Sequence, residues 1–299
     1  MSQLSLSERL RRRFRRSVLA PLDARLAGAV RRRRNARREF RPVFVTGAMG
    51  SGTTLLAFSL AQRFEFACVI AESAHQVAKR SFLHSPGVEV FPSVRSYEAA
   101  IRPRPGWRVE QARDDLLRLY RSHATGASDR ALDKGPNTSL LRAGFLARCF
   151  PEGRFVVVFR DPVANVEGFR RKWRTFGGDS LDECIRFYAA IHEGFLEQAA
   201  EFADRVAFVE YEALVADYDA RLEALARRLA LDPARVRRRL APRANVPGQG
   251  IRNVAGSRIG VVRDANEHAW GHLSEPEIAR IREALAPLQA RLRARALEG

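Results

Sequence analysis

Val43-Phe44-Val45-Thr46-Gly47-Ala48-Met49-Gly50-Ser51-Gly52-Thr53-Thr54-Leu55-Leu56 is an apolar run of strand length, a glycine-rich turn, and hydroxyl residues that open a helical pattern. It reads as a phosphate-binding loop. Glycines let successive backbone N–H groups curl inward, and the helix that follows turns its positive dipole end toward an anion held there. The spacing from Gly47 to Gly52 matches a nucleoside-triphosphatase loop of the form G-x-x-x-x-G-K-[ST], but Thr53 stands where that loop has lysine. Without a lysine to reach the β- and γ-phosphates, ATP or GTP chemistry is disfavoured. A donor that puts one phosphate in the cradle is still compatible with the loop.

The chain has 299 residues, 46% of them hydrophobic, enough for one large α/β domain with its own core. Cys68, Cys149 and Cys184 are widely spaced in apolar contexts, and an odd number argues against a disulfide framework or a zinc site. No metal is expected. No apolar run approaches the roughly 20 residues of a membrane span, and no signal-peptide core is present, so a cytoplasmic protein is expected. The net charge is +18, and residues 1–41 hold +11 of it, leaving +7 for the remainder. We therefore divide the chain into a basic, Arg-rich N-terminal arm over 1–41 and an α/β domain over 42–299. The arm interleaves Arg11–Arg13, Arg15, Arg16 and Arg31–Arg34 with Leu4, Leu6, Leu10, Phe14, Val18 and Leu19. Three uses stay open for it: lying on an anionic membrane surface, nonspecific nucleic-acid binding, or a solvated extension.

After Pro42, β-rich runs alternate with amphipathic helical stretches. The expected strands are 43–47, 67–71, 131–133, 154–159 and 206–209, with helices over 53–63, near 110–123, from Asn137 or Thr138 through Cys149, and from Leu181 to Ala199. Asp161 is a good N-cap and Pro162 a good first helical residue, which puts Arg160 at the carboxyl edge of the sheet. Ser274 and Glu277 predict a capping box for a closing helix. Residues 82–108, with four prolines and Gly87, Gly106 and Trp107, read as an irregular insertion and a candidate substrate lid, and 242–273 as a glycine-rich loop.

Taken in order, these motifs resemble the sulfotransferase family, which transfers a sulfuryl group from 3′-phosphoadenosine-5′-phosphosulfate (PAPS). Ser51-Gly52-Thr53-Thr54-Leu55-Leu56 resembles its 5′-phosphosulfate loop, Asp133-Lys134-Gly135-Pro136-Asn137 its Lys-x-Pro segment, Val156–Pro162 its 3′-phosphate strand and helix, and Val209–Val215 its Tyr-Glu-x-Leu stretch. The resemblance implies a three-layer P-loop-like α/β fold with a central parallel sheet flanked by helices. It implies that Gly50, Ser51, Gly52, Thr53 and Thr54 cradle the 5′-phosphate, that Arg160 and Lys172 hold the 3′-phosphate, and that Tyr211 packs on the adenine or fills the core. Glu72 resembles the catalytic base of the tyrosylprotein and glycan branches, with His75 as the runner-up and helix capping as the structural alternative for Glu72. The resemblance makes Lys134 the expected cation for the leaving oxygen, with a solvated lysine after a strand as the structural alternative.

Two positions depart from the family pattern. Gly50 stands where Lys or Arg is usual, and Gly168 where a serine is usual; Ser257 or Arg258 in the late loop are candidates to replace that serine. The expected acceptor is a hydroxyl of a glycan, glycolipid or small metabolite. Two other classes compete: a P-loop kinase-like enzyme, for which Asp133 is the one suggestive magnesium-holding acid, and a noncatalytic nucleotide- or nucleic-acid-binding protein led by its arginine arm.

Overall fold

The computed structural model describes residues 20–87, 90–172, 180–231 and 273–297. Five strands, β1 (Arg41–Gly47), β2 (Cys68–Ala71), β3 (Arg130–Lys134), β4 (Arg154–Phe159) and β5 (Val206–Glu210), form one sheet in the order β2-β3-β1-β4-β5. Every pairing is parallel. Parallel strands need crossover helices, and these cover both faces, so the strands read as near-continuous apolar runs. Side chains alternate between two cores. Phe44, Phe155, Val157 and Phe159 face one that includes helices Val109–His123, Leu181–Ala199 and Glu275–Arg293. Val43, Val45, Val156 and Val158 face the other, with helices Thr53–Arg63 and Tyr218–Leu229. The three-layer α/β reading holds.

Cys68, Cys149 and Cys184 are buried free thiols, and burial pushes Cys149 up to about 12 and Cys184 to about 11. Among the described residues no helix is long and apolar enough to cross a membrane. Asp161 caps Pro162–Lys172 by accepting the Ala164 N–H at 2.9 Å. Glu277 accepts from the Ser274 N–H at 2.8 Å and from its hydroxyl at 3.0 Å.

Three expectations need correction. Residues 82–108 are not irregular throughout: Val94–Ile101 is a helix, with the Ser93 hydroxyl accepting from the Ser96 N–H. The buried Arg142 guanidinium fastens that segment down, donating to the Leu83 and Ile101 carbonyls, each at 2.7 Å, and lying 5.0 Å over the Trp107 ring. Arg142 also breaks the single helix expected from Asn137 to Cys149 into Thr138–Leu141 and Ala143–Cys149. Nor does the N-terminal segment stand apart up to residue 41. Ala20–Arg34 is a helix docked on Val109–His123, and the Asn35 amide donates to the Arg121 and Ala124 carbonyls, both at 3.2 Å.

His192, on the buried stripe of Leu181–Ala199, carries a consequence for stability. Its Nδ1 lies 2.9 Å from the Tyr188 carbonyl, its Nε2 is buried without a hydrogen-bond partner among the described residues, and burial pushes the imidazole down to about 4. Above its ordinary value the ring is neutral in both states. As pH falls from about 6.5 to 4, the unfolded chain gains a proton that the folded one refuses, so stability falls across that window by about 3 kcal/mol. In urea unfolding at pH 7 and 4.5, the wild type should therefore lose roughly 2 kcal/mol more than His192→Gln. Equal losses would remove His192 from the acid response.

Candidate active site

Each strand of the sheet delivers one element of the site from its carboxyl end, where open α/β sheets bind ligands. The sheet order sets them in a row: Glu72 after β2, Lys134 ending β3, the loop after β1, Arg160 after β4, and Tyr211 after β5. β3 and β4 flank β1, so at about 4.8 Å per strand Lys134 and Arg160 leave the sheet about 10 Å apart, one on each side of the loop.

The loop has the features of an anion cradle. Gly50 and Gly52 adopt φ of +89° and +99°, in the left-handed region that favours glycine. At Gly52 a Cβ would also lie 2.4 Å from Tyr211 Cδ2, so no side chain fits there. The helix Thr53–Arg63 starts with no side-chain cap, leaving its first N–H groups available to a ligand. Among the described residues the fully buried Ser51 hydroxyl has no hydrogen-bond partner.

Two asparagines hold the loop's shape. Asn137 Oδ1 accepts from the Met49 N–H at 3.0 Å, and Asn165 Nδ2 donates to the Met49 carbonyl at 2.6 Å. Neither was identified as a loop clamp from the sequence, where Asn137 read as a helix cap. A signal existed for Asn165, which lies one helical turn beyond the capping Asp161 and so near the same end of the helix.

Beside the loop sits a charged cluster. Lys134 Nζ donates to Glu72 Oε1 at 3.1 Å and to Thr54 Oγ1 at 3.4 Å, and His75 Nε2 lies 3.3 Å from Glu72 Oε2. The three residues expected to carry the chemistry thus come together. Glu72 does occupy the N-cap position of Ser73–Gln76, but it makes no side-chain capping bond; its carboxylate turns instead to Lys134 and His75. Lys134's side chain is 10% exposed and Glu72's 39%, so an entering molecule reaches the carboxylate before the ammonium.

Glu72 has φ 58° and ψ 64°, and Asn137 φ 55° and ψ −60°. Such positive-φ conformations cost on the order of 1–3 kcal/mol each and persist where the surroundings fix them. Here the Glu72 N–H donates to the Lys134 carbonyl at 2.5 Å, and the Asn137 N–H to the Gly47 carbonyl at 2.9 Å.

Asp133 is fully buried and accepts the Tyr120 hydroxyl at 2.7 Å. Burial pushes its carboxyl up to about 6, against hydrogen bonds from Tyr120 and Ser73 and the charge of Lys134. It faces the core, so it is not placed to hold magnesium for a kinase.

Across the loop, Arg160 Nη1 donates to the Gly50 carbonyl at 2.9 Å, and the guanidinium lies 4.8 Å from the centre of the Tyr211 ring. Tyr211 is buried and packs on Gly52, which favours its core-filling alternative. Among the described residues nothing stands within 4 Å of where a Cβ would sit on Gly168. Lys172 ends its helix, but the position of its side chain, like all of Ser257 and Arg258, lies outside the described residues.

A parallel α/β sheet with an uncapped glycine-rich loop at its central strand, and cations on both sides of it, defines a P-loop-like protein built around a phosphorylated ligand. The family model described as "Sulfotransferase family" matches residues 42–234, and the chain belongs to that family. Among solved structures, sulfotransferase STF9 from Mycobacterium avium is similar with a TM-score of 0.54 at 13% identity, covering 89% of this chain and 81% of that one. STF1 from Mycobacterium tuberculosis H37Rv gives 0.49 at 16% identity, covering 88% and 82%. Mouse sulfotransferase SULT7A1, complexed with PAP, gives 0.45 at 14%, covering 86% and 89%. No curated protein matches the sequence.

Proposed function

We propose that this chain transfers the sulfuryl group of PAPS to a hydroxyl of a glycan, a glycolipid or a small metabolite, with Glu72 as base and Lys134 as the cation at the leaving oxygen. The observation that carries this reading is the position of Lys134 Nζ, within hydrogen-bond reach of both the Glu72 carboxylate and Thr54 at the start of the loop helix. One ammonium thus adjoins the group that takes the acceptor's proton and the cradle that would hold the donor's phosphate.

PAPS supplies the sulfuryl group: its S–O bond to the 5′-phosphate breaks as the acceptor oxygen bonds to sulfur. Glu72 takes the proton that the acceptor hydroxyl loses, and Lys134 meets the negative charge that grows on the departing phosphate oxygen. Ser51, Gly52, Thr53 and Thr54 hold that phosphate through N–H groups and hydroxyls. Arg160, on the far side of the loop, holds the 3′-phosphate, and its bond to the Gly50 carbonyl brings a guanidinium to the residue where the family's usual cation is missing.

Calorimetry with 3′-phosphoadenosine-5′-phosphate (PAP) against ATP with magnesium tests the donor. PAP should bind and ATP should not; equal binding would favour the kinase class. Arg160→Ala should weaken PAP about ten- to a hundredfold, the usual loss for a charge-assisted pair, while leaving adenosine-5′-phosphosulfate unaffected. A parallel loss for both ligands would assign Arg160 to the loop and not to the 3′-phosphate.

A further inference from the structure

Among the described residues three large apolar side chains stand strongly exposed, Leu26 at 63%, Val30 at 67% and Val90 at 61%, and two of them lie on the first helix. Leu26, Val30, Arg33 and Arg34 recur at i, i+4, i+7 and i+8, which places them on one face of Ala20–Arg34. All four are exposed, as is Arg37 in the turn that follows.

The opposite face is spoken for. Gly28 is buried, with the Ser122 carbonyl 4.0 Å from where its Cβ would be, and Arg31 Nε donates to that carbonyl at 2.7 Å. Asn35 and Arg38 continue the attachment, Arg38 donating to the Gly126 carbonyl at 3.0 Å. The domain therefore holds the helix in one orientation, with a stripe of apolar and cationic side chains facing outward.

We infer that this stripe docks the enzyme on an anionic lipid surface, with Leu26 and Val30 entering the headgroup–acyl boundary and Arg33, Arg34 and Arg37 meeting lipid phosphates. Residues 26–38 contain six arginines and no carboxylate, so the charge complements an anionic membrane and repels a second copy of the same face. Nucleic acid would satisfy the arginines but leave Leu26 and Val30 in water. The sequence that precedes the helix has the same chemistry, with Arg9, Arg11–Arg13, Arg15 and Arg16 among Leu4, Leu6, Leu10 and Phe14.

The test is cosedimentation of the full chain with vesicles of phosphatidylglycerol and phosphatidylcholine, against vesicles of phosphatidylcholine alone. The chain should pellet with the anionic vesicles only, and Leu26→Ser/Val30→Ser should lower its partitioning at least tenfold while all the arginines remain. Thermal unfolding and PAP binding should change little, since Leu26 and Val30 are 63% and 67% exposed. Wild-type partitioning of the double variant, or equal binding to neutral vesicles, would overturn the inference. So would duplex DNA binding that survives the double substitution, or a Leu26- and Val30-dependent dimer in sedimentation equilibrium.

Discussion

Glu72→Gln should lower kcat by about 10²–10⁴, the usual contribution of a positioned general base, while PAP affinity stays within a few-fold of wild type. Glutamine keeps the shape and an acceptor oxygen for Lys134 but has no basic carboxylate to take the acceptor's proton. The side chain makes no capping bond, but it is the carboxylate beside a Lys134 ammonium only 10% exposed, so the substitution should lower the melting temperature while the chain stays folded. The matched control is His75→Ala. His75 touches the opposite carboxylate oxygen, 3.3 Å away, and should cost less than tenfold if it only steadies Glu72. Should the two variants exchange these outcomes, the imidazole is the base and the proton route above is reversed.

Lys134→Ala should cost about 10²–10³ in kcat, comparable to removing one donor from an oxyanion site, with a smaller loss in PAP affinity. A contact that strengthens only as charge develops shows itself in the rate. Lys134 is the member of this cluster that reaches the loop helix, through Thr54, and Gly50 brings no cation of its own. Near-normal kcat with collapsed PAP binding would make Lys134 a ground-state ligand only. Lys134→Arg should restore part of the PAP affinity but little of the rate, because the planar guanidinium does not reproduce the ammonium's two contacts at 3.1 and 3.4 Å.

Much of this site was legible because its parts are local signals. The glycine spacing after β1, the Asp161-Pro162 helix start after β4 and the apolar run of β4 each require a particular backbone over a few residues, and each appears where expected. The insertion and the N-terminal helix were misread for a common reason. Residues 82–108 carry helix breakers that hide Val94–Ile101, and what orders the segment is a buried guanidinium about 40 residues further on, Arg142. Residues 20–41 look like a free basic arm because their charge dominates, yet Asn35, Arg31 and Arg38 meet backbone carbonyls of residues 121–128, which no spacing within the arm reveals.

The sequence by itself determined the α/β class, the glycine-rich loop after β1, and that Glu72, Lys134 and Arg160 stand at strand ends. These follow from short-range rules: strand period, glycine conformation, helix capping. The tertiary structure alone decided that Glu72 turns away from its helix to face Lys134, that two asparagines 28 residues apart clamp Met49 from both sides, and that Asp133 points into the core while its neighbour Lys134 points to the loop. Strand order governs all three. A parallel sheet joins distant segments at one edge, and only the order β2-β3-β1-β4-β5 fixes which strand ends become neighbours.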